Sequence, residues 1–245
     1  MTTACITGAA SGMGRELASR LASRGVEVLA LDRDEAGLKE LKATTGGVDV
    51  ATVDVTDEDA VAAQIAGTAW DHLVTAAGIG HTGRIDATTP AEHAKLMAVN
   101  YLGTVHTVHA ALPAMTAARR GRVTIFASLA GWVPAPEHGP YGATKAALVM
   151  WSQALRRELV RSGVGVTCVC PSAVATPLLD DMPASKAGQR YLKPAAPEQV
   201  VEAVLKAVDR GRPWVFPREA KALQLLQRFA PHALERTTRW ILRGP

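Results

Sequence analysis

Thr7-Gly8-Ala9-Ala10-Ser11-Gly12-Met13-Gly14 decides the fold. The stretch follows Ala4-Cys5-Ile6, a short apolar run of buried-strand type, and opens a helical pattern that continues from Arg15 to Arg24. Its three glycines allow a tight turn and a close approach of backbone to a ligand. The helix behind them aims free N–H groups and the positive end of its dipole at the turn, which suits a pyrophosphate. A second apolar run, Val26 to Leu31, ends in Asp32, 24 residues after Gly8. That is near the spacing at which a carboxylate reaches a ribose 2′-hydroxyl.

Farther along, Val123-Thr124-Ile125-Phe126-Ala127 runs into Ser128, and thirteen residues later comes Tyr141-Gly142-Ala143-Thr144-Lys145. A phenol and an ammonium four residues apart share one helix face, with a rise of roughly 6 Å between them. Free tyrosine titrates near pH ~10, and a fixed positive charge beside it is expected to lower that value. The pair makes an acid/base for moving a proton on or off an alcohol, with Ser128 placed to hold the reacting oxygen.

Taken together, these segments resemble the short-chain dehydrogenase/reductase family over residues 3 to 216. Thr7-Gly8-x-x-x-Gly12-x-Gly14 is similar to its cofactor motif, and Asp54-Val55 to the acidic residue, after the third strand, that meets the adenine. Ala76-Ala77-Gly78 resembles the motif that ends the fourth strand. Val99-Asn100-x-x-Gly103 looks like the surroundings of the family's catalytic asparagine, and Pro171 through Val174 to Thr176-Pro177 like the segment that holds the nicotinamide. Two positions depart from the pattern. Thr75 and Ala76 stand where asparagines are usual, and Ser172 stands where glycine usually follows the proline.

The resemblance implies a catalytic set of Asn100, Ser128, Tyr141 and Lys145. Tyr141 transfers the proton, Ser128 steadies the oxygen, Lys145 lowers the tyrosine pKa and binds the nicotinamide ribose, and Asn100 holds a relay water. It implies a cofactor site made of Gly8, Ser11, Gly12, Met13, Gly14, Asp32, Arg33, Asp54, Val55, Ala77, Gly78, Tyr141, Lys145, Pro171, Val174 and Thr176. Asp32 favours NAD, because a carboxylate repels a 2′-phosphate. Arg33 offers that phosphate a partner, so NADP is the lesser expectation. Ser11 occupies a position where phosphate-preferring relatives often carry a basic residue.

The expected architecture is a single doubly wound α/β domain with a seven-stranded, mostly parallel sheet and helices on both faces. Strands are predicted over 3–7, 26–31, 48–53, 70–76, 121–127, 164–170 and 213–216. Helices are predicted over 12–24, 34–43, 57–67, 90–117, 140–162 and 197–209. Gly8, Asp32, Asp54, Gly78, Ser128 and Pro171 all fall at the carboxyl ends of predicted strands, where such sheets place their ligand crevice. The Rossmann domain is read as 1–217, with 218–245 as a helical extension. Residues 176–196 mix apolar residues with helix breakers, and either a substrate lid or an ordinary surface loop accounts for them. Leu178, Leu179 and Met182, with Trp132, Val133 and Pro134 after Ser128, suggest an apolar pocket for a hydrophobic ketone or secondary alcohol.

At 245 residues and 48% hydrophobic content the chain suits one large domain. Without a leader pattern or an apolar run of roughly 18 residues, a soluble cytoplasmic protein is expected. Cys5, Cys168 and Cys170 lack metal spacing, and buried thiols are the plain reading; no metal is expected. Residues 210–245 carry eight Arg/Lys against Glu219 and Glu235, a net +6 of a chain total of +4. The remainder is slightly acidic, which speaks against nucleic acid as a partner. In the tail, Ala222, Leu225, Leu226 and Phe229 follow helical spacing, and Arg236, Arg239 and Arg243 form a basic stripe. Packing on its own domain or on a sister subunit is the favoured expectation, and attachment to an anionic membrane surface is the alternative. A homodimer through helices 90–117 and 140–162, or a homotetramer through the last helix and strand, is expected from the resemblance. A dinucleotide sensor without catalysis is the competing functional reading, and the intact catalytic set argues against it.

Overall fold

The computed structural model describes residues 2–180, 182, 194–217 and 220–243, without the side chains of 237, 238 and 240–243. Seven parallel strands form one sheet in the order β3-β2-β1-β4-β5-β6-β7. They are β1 (Thr3–Thr7), β2 (Glu27–Asp32), β3 (Val48–Thr52), β4 (His72–Thr75), β5 (Arg122–Phe126), β6 (Gly165–Val169) and β7 (Trp214–Val215). The helices between them are α1 (Gly12–Ala22), α2 (Glu35–Thr44), α3 (Glu58–Ile65), α4 (Pro90–Met97), α5 (Gly103–Ala117), α6 (Gly139–Glu158), a short α7 (Pro177–Asp180) and α8 (Pro197–Asp209). Two more, α9 (Ala220–Phe229) and α10 (Pro231–Arg243), make the tail.

The strands are buried on both faces, as continuous apolar runs require in a parallel sheet. On one face Ile6, Val28, Ala30 and Val169 pack with Leu17, Leu21, Leu38, Val201 and Val204 of α1, α2 and α8. On the other, Cys5, Leu31, Leu73, Val123 and Ile125 pack with Val61, Ile65, Val108, Met115 and Leu148 of α3, α5 and α6. β1 lies between β2 and β4, in register Ala4↔Val28 and Ala4↔His72. The chain therefore winds one way from β1 to β3 and the other way from β4 to β7. The crevice opens where the two directions part, beyond the carboxyl ends of the strands.

Local chemistry starts these helices. Asp34 caps α2 by accepting from Ala36 N and Gly37 N, each at 3.1 Å, and Asp57 caps α3 by accepting from Ala60 N at 2.9 Å. Thr89 and Glu92 form a reciprocal capping box on α4, with Pro90 in the first turn. α1 is different: Ser11, at its N-cap, makes no side-chain capping bond. The first N–H groups of that helix face the crevice uncapped by its own side chain.

Two expectations need correction. The helix predicted over 90–117 is interrupted by a π-helical turn, Ala98–Leu102, closed by a hydrogen bond from Gly103 N to the Ala98 carbonyl. Periodicity alone does not show a one-residue bulge of this kind, and such bulges collect at functional sites. The tail is helical as expected, but the apolar stripe of α9 does not pack on the domain. Ala220 and Gln224 face inward, at 0% and 6% exposure, while Leu225, Leu226 and Phe229 are exposed. Residues 181 and 183–193 of the expected lid lie outside the described residues. Cys5, Cys168 and Cys170 are buried free thiols, with the last two sulfurs 3.9 Å apart on one side of β6.

Candidate active site

The glycine turn can be built only from glycine. Gly8 has φ +73°, and a Cβ there would fall 2.4 Å from Ala77 N; one on Gly14 would fall 2.0 Å from the Gly8 carbonyl oxygen. Gly12, at φ +53°, lies against the Thr176 side chain. This turn forms the floor of a cleft of about 380 Å³ lined by Gly8, Ser11, Gly12, Met13, Gly14, Asp32, Arg33, Asp54, Val55, Ala77, Gly78 and Thr176. Twelve of the expected cofactor residues thus converge on one concavity, joined by Leu178 from the expected substrate set.

The polar groups of the cleft are held in place by backbone. Asp32 Oδ2 accepts from Ala10 N at 3.0 Å and Oδ1 from Asp34 N at 3.1 Å. A carboxylate offers about four acceptor positions, so roughly half remain for hydroxyl groups. Asp54 Oδ1 accepts from Thr56 N at 2.9 Å and Thr56 Oγ1 at 2.8 Å, and these bonds hold its carboxyl below the usual range, with a smaller contribution from Arg33. Uncapped N–H groups at the start of α1, a glycine floor and a half-buried carboxylate on β2 together suit a dinucleotide: pyrophosphate at the helix, ribose at the acid. Tyr141, Lys145, Pro171 and Val174, the other four expected cofactor residues, lie outside the lining. The Pro171 carbonyl accepts from Leu129 N at 2.8 Å, which ties the end of β6 to the loop after Ser128.

The expected catalytic residues do not line the cleft itself; Asn100 and Lys145 stand directly behind its lining residues Gly78 and Ile79. Ser128 follows β5 by two residues, its Oγ accepts from Ala130 N at 3.1 Å, and its side chain acts on the phenol of Tyr141. Tyr141 and Lys145 lie one turn apart on α6, 6% and 5% exposed. Lys145 Nζ donates to the Phe126 carbonyl at 3.0 Å and sits 5.6 Å from the centre of the Tyr141 ring. Here the expected pKa shift reverses. Burial pushes the Tyr141 phenol up to about 12 against a weaker opposing effect of Ser128, and burial pushes the Lys145 ammonium down to about 8. Desolvation dominates both shifts, against weaker opposing effects of Ser128 on the tyrosine and of Cys168 and Cys170 on the lysine.

Asn100 is fully buried in the π turn and clamped on three sides. Its Oδ1 accepts from Ile79 N at 2.8 Å, and its Nδ2 donates to the Ile79 carbonyl and to Thr144 Oγ1, both at 3.1 Å. Thr144 donates in turn to the Tyr141 carbonyl at 2.7 Å. Ile79 and Thr144 thereby join the site, although the sequence reading passed over them. A threonine inside the Tyr141–Lys145 turn was the available signal. Gly78 permits this packing, since its Cβ position lies 3.1 Å from Asn100 Oδ1 and 3.6 Å from Lys145 Nζ.

The expected apolar substrate residues separate. Trp132 stacks edge-on against Trp214 and Phe216, at 5.4 and 6.0 Å between ring centres. Trp132 and Pro134 also line a second cavity of about 260 Å³ with Ala130, Gly142, Ala143 and Ala146. Met182 is buried, and its side chain fills the space beside Gly80, where a Cβ would lie 2.3 Å from Met182 Cγ. Leu179 N bonds the Thr176 carbonyl at 2.8 Å. Among the described residues no group of three or more His, Cys, Asp or Glu is arranged to hold a metal, and no helix is long and apolar enough to cross a membrane.

Residues 2–187 match the family model of the short chain dehydrogenases. The probable oxidoreductase EphD of Mycobacterium tuberculosis is 32% identical over 97% of this chain, which spans only 45% of that relative's length. An uncharacterized oxidoreductase of Staphylococcus saprophyticus is 32% identical over 84% of this chain and 91% of its own. A short-chain dehydrogenase from Sphingobium yanoikuyae, solved in complex with NADPH, superposes with a TM-score of 0.84 at 27% identity, covering 97% of this chain and 94% of that one. With the family model spanning residues 2–187 and two such relatives over most of its length, the chain belongs to the short-chain dehydrogenase family.

Proposed function

We propose that the protein is a nicotinamide-dependent oxidoreductase that interconverts an apolar secondary alcohol and its ketone, with NAD the preferred cofactor. The buried Tyr141–Lys145 pair, with Lys145 directly behind Gly78 of the glycine-floored cleft, carries this reading. The dinucleotide, when bound, supplies or accepts the hydride. Gly8, Gly12, Gly14 and the start of α1 hold its pyrophosphate, Asp32 its adenosine ribose, and Asp54 and Val55 its adenine. Tyr141, neutral at physiological pH, donates its proton to the substrate oxygen in the reductive direction and receives it back in the oxidative one. Ser128 orients that oxygen. Lys145 binds the nicotinamide ribose and offsets charge on the phenolate as it forms. Asn100, fixed by Ile79 and Thr144, positions the turn beside Lys145 and holds the relay water. Leu178, Leu179 and Met182 favour an apolar substrate, and the exposed Leu102 and Met150 on the two long helices support contact between copies.

The test is Tyr141→Phe, assayed by cofactor oxidation and reduction over a panel of alcohols and ketones. Turnover is expected to fall by roughly 10²–10⁴-fold, the usual contribution of a positioned acid/base, with dinucleotide affinity nearly unchanged. A variant that keeps more than about a tenth of wild-type activity overturns the assignment.

A further inference from the structure

We propose that the α9–α10 hairpin is a docking surface for an anionic phospholipid bilayer. The argument starts from the inverted burial of α9. A helix that packs on a globular body turns its apolar stripe inward and its polar face out. In α9, Gln224 is buried, while Leu225 at 41%, Leu226 at 39% and Phe229 at 75% exposure form the outer face with exposed Ala222. At 100° per residue these four positions span one continuous apolar face. Lys221 and Arg228, both exposed, border one side of it, and the Arg228 guanidinium lies 5.4 Å from the centre of the Phe229 ring.

Charge selects the occupant. Residues 218–245 carry six Arg/Lys against Glu219 and Glu235, a net +4, which equals the net charge of the whole chain. Residues 1–217 are therefore balanced at zero. Two copies meeting stripe to stripe would bring the bordering Lys221 and Arg228 of one close to the basic border of the other. The body, at a net charge of zero, brings no excess of acidic charge to offset the tail. A bilayer containing anionic lipid meets both requirements at once: acyl chains for Leu225, Leu226 and Phe229, and headgroup charge for the flanking basic residues, whose long stems reach the interface. This inference goes beyond the proposed chemistry and is independent of it.

The experiment is co-sedimentation of the full chain with phosphatidylcholine vesicles and with vesicles containing 30 mol% phosphatidylglycerol, at 150 mM salt, alongside light scattering of the protein alone. The partition coefficient is expected to be at least about tenfold higher on the anionic vesicles, given several basic residues at the surface. Leu225→Glu/Phe229→Glu should abolish sedimentation with an unchanged circular dichroism spectrum, since both side chains are exposed. Arg228→Gln/Arg236→Gln should remove the preference for anionic lipid. Equal binding to both vesicle types, no binding to either, or binding that the glutamate pair leaves unmoved overturns the proposal. So does a glutamate pair that lowers the oligomeric mass while vesicle binding is absent, which would make this face a contact between copies.

Discussion

Lys145 and Tyr141 occupy a site whose dryness works against both of their charged forms. The lysine titrates near 8 instead of 10.5 and the tyrosine near 12 instead of 10.0, each because burial penalises its charge. Below pH 8 the lysine is protonated in folded and unfolded chains alike, so its buried charge destabilises the fold in full. Between 8 and 10.5 the folded chain releases the proton first and the penalty fades. Lys145→Met should therefore be more stable than wild type at pH 7, by about 1–3 kcal/mol, while losing turnover. The gap in melting temperature should close as pH approaches 10.5, and a constant gap would refute buried-charge strain. Above pH 10 the tyrosine acts with the opposite sign: the unfolded phenol ionises first, and stability falls in both proteins. Asp32 is expected to set cofactor choice at the same scale. Wild type is expected to show a higher kcat/KM for NAD than for NADP, and Asp32→Ala to narrow or reverse the ratio because Arg33 remains to meet a 2′-phosphate. A ratio that the substitution leaves unmoved would show that the carboxylate does not reach the ribose.

Elements bring these residues to register. The π turn at Ala98–Leu102 supplies Asn100 to the clamp formed by Ile79 and Thr144, and the 3₁₀ turn Leu129–Gly131 presses Ser128 toward Tyr141. Gly131 makes that contact possible, because a Cβ there would lie 2.7 Å from the carbonyl carbon and oxygen of Lys145. Both clashing atoms are helix backbone and cannot rotate away. Gly131→Ala is expected to lift the turn from α6, at a cost of about 1–3 kcal/mol, and to lower the melting temperature by roughly 2–12 °C for a chain of this size. It should also lower kcat more than dinucleotide affinity, since the cleft floor around Gly8 is built by other elements. Equal losses in both would point to general unfolding instead.

Across the whole molecule, strand order makes the cleft. Its lining comes from the ends of β1, β2, β3 and β4 and from the segment after β6, segments distant in sequence that only the assembled sheet brings together. A ligand bound there stabilises the native arrangement of all of them. NAD at about 100 times its dissociation constant should add about 2.7 kcal/mol and raise the melting temperature by roughly 5–10 °C. Tyr141→Phe should keep this shift and Asp32→Ala should reduce it, a pattern that separates binding from chemistry by calorimetry alone. Failure of NAD and NADP alike to move the transition would count against the cleft as a dinucleotide site.

What the sequence determined by itself is what depends on spacing along the chain. The alternation of apolar runs with helical periods dictates a wound parallel sheet. The positions of Gly8, Gly12 and Gly14 dictate the turn, and the four-residue step from Tyr141 to Lys145 dictates a shared helix face. These follow from backbone geometry that neighbours in sequence control. Thr144 and Ile79 were hidden because their part is played through hydrogen bonds to Asn100, 44 and 21 residues away. The raised tyrosine pKa was hidden for a related reason: solvent exclusion around Tyr141 is produced by strands and loops that only packing brings near, and desolvation outweighs the adjacent charge that the sequence displays. Trp132 reads in sequence as a pocket residue and lines a cavity with Pro134, while the packing of its ring on Trp214 and Phe216 could not be read from the chain. The stripe on α9 was legible as a stripe, but periodicity tells which residues share a face and not which way that face looks. The tertiary structure decided that Gln224 turns inward and Phe229 outward, because the direction of a helix face is set by what the rest of the chain places beside it.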